Sequence, residues 1–231
     1  MSRLEWDLEG QKLYETGVSK GVLYVYDSVE KAYGKGVAWN GLSSITDSPE
    51  GAEANDVYAD NAKYLSLYSA EKFGATIEAY MYPDEFKECD GTASPVKGMN
   101  LGQQTRKTFA LAYETIVGND LEGDTFGKKI HIIYGCKVSP SEQTHETVND
   151  SPEAGSFSWE VSTTPLPAVT LGGVEYKPTA TLVLDSTQIE GGLTGDIWKA
   201  LEDFIYGSES KEPQVLTPAK AYEIISTTAA G

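Results

Sequence analysis

Residues 156–164 read Ser156-Phe-Ser-Trp-Glu-Val-Ser-Thr-Thr164, a stretch in which apolar and polar side chains alternate. Phe157, Trp159 and Val161 take odd positions, whereas serine and glutamate take the even ones. A period of two sends the two sets to opposite faces of a β-strand. The stretch therefore predicts an antiparallel strand with one face on a core and a polar face turned away from it.

The same alternation recurs along much of the chain, and turn residues separate the alternating stretches. Gly172-Gly173 predicts a two-residue hairpin, and residues 118–127, rich in glycine and aspartate, predict a longer hairpin loop. Further strands are predicted at residues 21–26, 36–45, 63–67, 73–81, 105–117, 130–136 and 179–184. About ten short strands at this spacing are typical of sandwiches and barrels. We therefore predict a mainly β protein, an antiparallel β-sandwich or half-barrel.

One segment follows a helical period instead. Residues 194–206 place their charged side chains on one side and their apolar side chains on the other, the apolar ones being Ile197, Trp198, Leu201, Phe204 and Ile205. This spacing predicts an amphipathic α-helix, with Thr194 as its N-cap and Gly207 at its end. Thr217-Pro218 predicts the start of a second, short helix.

The chain is strongly acidic. Its 231 residues include 18 lysines and arginines against 35 aspartates and glutamates, a formal net charge of −17. Affinity for phosphates comes from clustered basic residues, so a general nucleic-acid binder is disfavoured. The N-terminus lacks the apolar run of a signal peptide, and no stretch has the roughly 20 apolar residues needed to cross a bilayer. We therefore expect a protein made in a cytoplasm and not held in a membrane.

Residues able to carry catalysis or hold a metal are few and scattered. The two histidines, His131 and His145, and the two cysteines, Cys89 and Cys136, do not show the spacing of a zinc site. The sequence contains no nucleophile-elbow motif and no phosphate-loop motif. His131 lies on the polar side of its predicted strand and is interpreted as a surface histidine. We predict no catalytic residues, no cofactor and no metal, and hence a protein that is not an enzyme.

Several segments are informative because of the order in which they occur. The most telling are Phe73-Gly-Ala-Thr-Ile-Glu-Ala-Tyr80, Gly102-Gln-Gln-Thr-Arg106 and Phe157-Ser-Trp-Glu-Val-Ser-Thr-Thr-Pro165. The others are Lys20-Gly-Val-Leu-Tyr24, Gly36-Val-Ala-Trp-Asn-Gly41, Tyr58-Ala-Asp-Asn61, Tyr82-Pro-Asp-Glu-Phe86, Asn149-Asp-Ser-Pro152 and Lys177-Pro-Thr-Ala180. In this collinear order the chain resembles the major tail protein, or tail tube protein, of bacteriophages with long non-contractile tails. The resemblance extends from about Val18 to Gly207.

The resemblance implies a structural protein of the virion tail, assembled in the host cytoplasm. In that family six protomers form a ring, their sheets join into a continuous barrel, and rings stack into a tube that conducts double-stranded DNA into the host cell. The implied partners are further copies of the chain, the tape measure protein, and the tail-tip and tail terminator proteins. Residues 1–17 would form an N-terminal arm, 18–207 the β domain, and 208–231 a linker with a C-terminal arm or short helix.

Two sets of site residues follow from the resemblance. The first is an inter-ring stacking loop at residues 47–58, with Asp47, Glu50, Glu53, Asp56 and Tyr58. The second comprises exposed acids as candidates for the wall of the lumen, namely Glu78, Glu114 and Glu160. A basic wall would hold DNA by its phosphates, whereas an acidic wall repels it, within about 8 Å at physiological salt. The acidic run at 47–60 also suits a solvated loop.

Other classes of function stay open at this point. A carbohydrate-binding β-sandwich module shares the strands, the 14 tyrosines and the acidity, and is the main alternative. A glycosidase with paired carboxylates is a third class, for which Asp84, Glu85, Glu88 and Asp90 are candidates. Asp84 and Glu85 directly follow Pro83, however, so the first turn of a short helix explains this cluster better. A sugar-binding module predicts a monomer, and a tube protein predicts rings or tubes.

Overall fold

The computed structural model describes residues 3–145, 147 and 154–228. Over these residues the protein is mainly β, with 47% strand and 15% helix, and its strands pair in an antiparallel manner, which confirms the predicted fold class. The predicted motif at residues 149–152 lies outside this part of the chain.

The strands are β1 (Tyr14–Asp27), β2 (Ala32–Tyr33), β3 (Val37–Trp39), β4 (Leu42–Asp47), β5 (Ala54–Ala59), β6 (Ala62–Tyr68), β7 (Gly74–Ala79), β8 (Ala93–Val96), β9 (Met99–Leu101), β10 (Phe109–Asn119), β11 (Gly123–Val138), β12 (Phe157–Thr163), β13 (Val169–Leu171), β14 (Val174–Tyr176) and β15 (Thr181–Asp185). The α-helices are α1 (Asp196–Tyr206) and α2 (Pro218–Thr228).

Nine strands form one sheet, which strand β11 divides into two layers. The order is β2-β1-β10-β11-β12-β7-β4, with β3 beside β1 and β15 beside β11. One edge of β11 pairs with β15 over residues 129–133 and then with β12 over residues 136–138. Between them Gly135 has a φ of 61°, and a Cβ there would lie 2.1 Å from the Thr164 carbonyl oxygen. Only glycine permits this change of partner.

A first core lies between the two layers of the sheet. Trp159 and Val161 of β12 are buried in it, and Phe157 packs against it, as the alternation predicts. The Trp159 ring meets the Phe86 and Trp39 rings edge-on, with centroids 5.0 and 5.9 Å apart. Phe86 comes from a 3-10 turn at Asp84–Glu88, which confirms the structural interpretation of the acids after Pro83.

A second core lies on the opposite face of the β1–β10–β11 layer, beneath the helices. Helix α1 buries the apolar face predicted from its spacing, and Tyr24 donates a hydrogen bond of 2.6 Å from its hydroxyl to the Ile205 carbonyl. Strand β10 is therefore buried on both faces, because Leu111 faces the first core and Ala112 the second. A strand buried on both faces contributes little surface for binding a partner.

The ends of several elements differ from the sequence-based expectation. Helix α1 has Gly195, not Thr194, as its N-cap, because Thr194 closes a preceding 3-10 turn and donates its hydroxyl to the Gly191 carbonyl. The predicted loop at 118–127 shrinks to a tight turn, since β10 runs to Asn119 and β11 starts at Gly123. The helix end at Gly207, the glycine hairpin between β13 and β14, and the second helix after Thr217 are confirmed.

We predict that Trp159→Ala lowers the free energy of unfolding by about 3–5 kcal/mol, because it removes one of the two tryptophans of the first core and leaves a cavity. Equilibrium urea denaturation measures the effect. The exposed Tyr80 provides the control, since Tyr80→Ala should change stability by no more than about 0.5 kcal/mol. Equal effects of the two substitutions would show that this core is not where the structure places it.

Candidate assembly surfaces

The prediction of a loop over residues 47–58 is wrong only for its second half, because residues 54–58 belong to a β-hairpin whereas residues 48–53 lie between strands. Asp47 ends β4, whereas Asp56 and Tyr58 lie within β5, which pairs with β6. The turn between them is Asp60-Asn61, with φ values of 50° and 64°. Positive φ at both central residues is the signature of a hairpin turn that aspartate and asparagine tolerate. We call residues 54–68 the hairpin arm.

The other two predicted residues, Glu50 and Glu53, lie in the stem of the hairpin arm, by which we mean residues 48–53 and 69–73 between the arm and strands β4 and β7. Glu50 and Lys72 exchange two backbone hydrogen bonds of 2.7 Å, which extends the β4–β7 ladder towards the arm. Glu53 accepts a bond through its carbonyl from the Ser69 N–H at 3.3 Å. The stem therefore holds the arm out from the double-layered sheet through backbone bonds, while the Glu50 and Glu53 side chains are exposed.

The hairpin arm has an apolar face and a polar face. Val57 lies directly opposite Leu65, and Leu67 follows on the same face. On the other face Asp56 accepts a hydrogen bond from the Ser66 hydroxyl at 2.5 Å and pairs with the Lys63 ammonium at 2.7 Å. Tyr58, Tyr64 and Tyr68 alternate with the apolar-face residues along their strands and are 68% to 73% exposed. On the apolar face itself, Val57, Leu65 and Leu67 are 38%, 39% and 57% exposed. Such a patch on a two-stranded hairpin indicates a surface that a partner covers.

A polar face covers the outside of the β4–β7–β12 layer. Glu78 and Glu160 are both exposed there, in register with Ser158 and Thr76 respectively, and Ser44 donates its hydroxyl to Glu78 Oε2 at 2.8 Å. We call this surface the outer sheet face. Apart from the two glutamates and Lys137, which lies opposite Ser162, its paired residues are small serines and threonines. The face is smooth, polar and weakly negative.

Glu114 does not belong to the outer sheet face, and the prediction that it is an exposed acid is wrong. Its side chain is 2% exposed and lies between the ammonium groups of Lys128 and Lys20, at 2.9 and 3.1 Å. Glu114 lies two residues after Ala112 on β10, so the two side chains are on the same face of the strand, and helix α1 covers that face. Burial disfavours the charged Lys20, but the hydrogen bonds and negative charges of Glu114 and Glu202 together outweigh this and raise the pKa of Lys20.

His131 is mostly buried, with 16% of its side chain exposed, so its interpretation as a surface histidine is wrong. Its ring stacks on Tyr113 with centroids 4.8 Å apart, and its Nε2 lies 2.9 Å from the Thr115 hydroxyl and 3.1 Å from Glu15. Burial lowers the pKa of His131, although Glu15 opposes that shift. Glu15 also pairs with Lys129 at 2.6 Å. These contacts of Glu15 therefore hold the start of β1 against the β10–β11 ladder.

The other groups with reactive potential are buried or isolated. Cys89 and Cys136 are free thiols within the first core, and burial raises the pKa of Cys89 to about 12, so it stays protonated. Within the described ranges 3–145, 147 and 154–228, no three His, Cys, Asp or Glu side chains come together as a set that could hold a metal ion. In the same ranges no helix is long and apolar enough to span a membrane.

Comparisons with known proteins add no assignment to these surfaces. No family model and no curated protein matches the chain. The functional inference therefore depends on three observed features: the hairpin arm, the outer sheet face and the open strand edges described below.

We predict that Glu114→Ala destabilises the protein by about 1–3 kcal/mol, because two lysines lose the carboxylate that they share. The estimate is moderate since both lysines are partly exposed and regain hydration. Thermal or urea unfolding gives the measurement, with Glu160→Ala as the matched exposed control. A large effect of Glu160→Ala beside a negligible one of Glu114→Ala would contradict the assignment of the two acids.

Proposed function

We propose that this protein is a structural subunit of a hollow tube, the major tail protein of a bacteriophage with a long non-contractile tail. Copies form hexameric rings, the rings stack, and double-stranded DNA passes through the bore into the host cell. The observation that carries the proposal is the hairpin arm, which exposes six large apolar side chains on a two-stranded hairpin. The hexamer and the DNA cargo come from the sequence resemblance.

The hairpin arm supports stacking because it is incomplete alone. A two-stranded hairpin is at best marginally stable in water, and its apolar face has nothing to cover it within the described protomer. Fully burying one valine or leucine side chain contributes about 1.5–3 kcal/mol. Contact with a copy in the next ring would cover Val57, Leu65 and Leu67 together, and so order the arm.

The strand edges support ring formation. The path of paired strands stops at β4, which in the described residues pairs with β7 alone. Open strand edges are templates for another chain, and natural proteins cover them or close them. A contact between β4 of one copy and a different surface of the next is head-to-tail, and such contacts generate closed rings when the rotation closes.

The outer sheet face is suited to the wall of the bore. Its serines and threonines offer no large apolar or basic group that would bind DNA, and the two acids Glu78 and Glu160, which repel phosphates, outnumber the single basic Lys137. The net charge of −17 acts in the same sense over the whole subunit. In this proposal the tape measure protein occupies the bore before DNA, and the tail-tip and terminator proteins contact the two ends of the tube.

Assembly of the purified protein tests the proposal. We expect rings or tubes by negative-stain microscopy, and large species by light scattering, as concentration rises. The triple variant Val57→Ser, Leu65→Ser, Leu67→Ser should stay folded yet lose the stacked tubes, because its arm has no apolar face to bury. The control is Val174→Ser on the β13–β14 hairpin, a valine that is 55% exposed and should have no effect on assembly.

Two outcomes would contradict the proposal. One is a monomer at every concentration whose melting temperature rises with added sugar, which would favour the carbohydrate-binding alternative because a ligand stabilises the native state. The other is assembly by the triple variant that matches the unmodified protein, which would remove the hairpin arm from the stacking contact.

The sign of charge on the outer sheet face gives a separate prediction. Glu78→Lys with Glu160→Lys should give tubes that retain double-stranded DNA at low salt and release it as salt increases, because each phosphate contact displaces counterions. Filter binding measures the retention. Glu30→Lys with Glu209→Lys, at two exposed acids elsewhere, is the control for net charge. Equal retention by both pairs would place the outer sheet face away from the bore.

A further inference from the structure

The first described residues carry a strand pattern that the protomer does not use. Leu4-Glu-Trp-Asp-Leu-Glu9 alternates strictly between apolar and acidic side chains. Residues 4–9 nevertheless form no strand, and the Trp6 side chain is 74% exposed. Alternation of this kind gives a strand one apolar face, which is stable only when the strand is paired and that face is covered.

Within residues 4–9 the hydrogen bonding starts at Leu8, whose carbonyl accepts from the Gln11 N–H at 3.1 Å. The N–H groups of Gly10 and Lys12 donate to Asp120 Oδ1 at 3.0 and 3.4 Å, which ties them to the β10–β11 turn. Asn119 donates its side-chain amide to the Gly10 carbonyl at 3.4 Å. No hydrogen bond within the described part of the chain holds residues 3–7. Residues 3–7 are therefore attached to the protomer only through the residues that follow them.

Strand β15 offers the complementary feature, an outer edge without a neighbour. In the described residues it pairs with β11 alone. The Tyr134 N–H donates to the Ala180 carbonyl at 2.8 Å, which sets the hydrogen-bonding phase of this antiparallel pair. In that phase Leu182 and Leu184 direct their backbone groups to β11, and the residues between them direct theirs outwards.

On the outer edge of β15, one residue in particular has backbone groups without a hydrogen-bond partner among the described residues. Those of Thr181 are already used, because its N–H donates to the Thr179 hydroxyl at 3.2 Å and its carbonyl accepts from that hydroxyl at 2.9 Å. Those of Val183 have no partner among the described residues, and its side chain is 52% exposed. The edge centred on Val183 thus has a donor, an acceptor and an apolar side chain to offer.

We infer that residues 4–9 of one copy add as an extra strand to the outer edge of β15 in a second copy. Their length of six residues matches the five of β15, and an aromatic residue beside a β-branched one is a favourable cross-strand pair, as Trp6 beside Val183 would be. Each copy both donates and accepts, so the contact is head-to-tail and links successive subunits. The inference rests on the proposed self-assembly and names a second contact within it.

Trp6 is an intrinsic probe of this contact. The other tryptophans, Trp39, Trp159 and Trp198, are buried in the two cores. Acrylamide quenching of fluorescence in dilute full-length protein therefore reports on Trp6. On assembly the quenching constant should fall severalfold in the unmodified protein.

Val183→Pro tests the accepting edge, because it removes the outward N–H without removing a bond to β11. It should leave Trp6 fully quenchable under assembly conditions, whereas the control Val183→Thr keeps the N–H and should behave as the unmodified protein does. If circular dichroism shows that the proline variant is unfolded, Leu4→Ser with Leu8→Ser replaces it and removes the apolar face of the donor. Unchanged protection of Trp6 in the folded variant would overturn the inference.

The remaining outcomes separate this inference from the proposed function. Tubes in which Trp6 stays quenchable would overturn the strand addition and leave the tube proposal standing. If the unmodified protein does not assemble, the tube proposal fails, and a synthetic peptide of residues 3–12 is titrated into full-length Trp6→Ala protein instead. Saturable protection of the peptide tryptophan, lost with Val183→Pro, supports the inference, and absence of protection overturns it.

Discussion

Burial of strand β10 on both of its faces is the constraint from which the remaining architecture follows. Leu111 and its neighbours pack into the first core, while Ala112 faces the helices, so the middle of the protein is filled by its own side chains. A strand enclosed in this way has no face left for a partner. In the proposed assembly, contacts with other copies therefore come from the periphery, where the hairpin arm, β4, β15 and residues 4–9 lie.

The peripheral elements have a common physical property. Each one has backbone groups or apolar side chains that the protomer does not satisfy, such as the outward groups of Val183 and the apolar face around Leu65. These features are a liability for a soluble monomer, because open edges and apolar patches promote association. For a subunit of a repeating assembly the same features are the means of assembly. The two cores are thus filled by the protomer's own side chains, whereas its peripheral elements have backbone groups without partners or apolar side chains without cover among the described residues.

Alternation and helical spacing predicted most of the fold because they depend on local geometry alone. The strand around Trp159 and the helix ending at Gly207 are present as expected. Alternation does not, however, show which face of a strand a later element will cover. Glu114 was placed among the exposed acids for that reason, whereas helix α1, far along the chain, encloses its face of β10. His131 was misassigned in the same way, since Tyr113 covers it from the neighbouring strand.

The hairpin arm shows a different limit of sequence analysis. The sequence contains its turn signal, but the acidic residues around that signal argue for a loop instead. Asp60-Asn61 is a turn pair between two short β-rich stretches, but the density of acids around it favoured a solvated loop. The resemblance to tail tube proteins singles out residues 47–58 without giving their conformation. Residues 4–9 also have a clear strand pattern, and only the structure shows that the protomer leaves this pattern unpaired.

Hydrogen–deuterium exchange, compared between dilute and concentrated full-length protein, tests most directly whether the margins of the subunit are completed by other copies. Protection of an amide requires a hydrogen bond and exclusion of water, so each peripheral element reports on its own partner. The account predicts that amides of the hairpin arm and β4 become protected at high concentration while those of β10 stay unchanged. Identical exchange of the hairpin arm and β4 at both concentrations would contradict it.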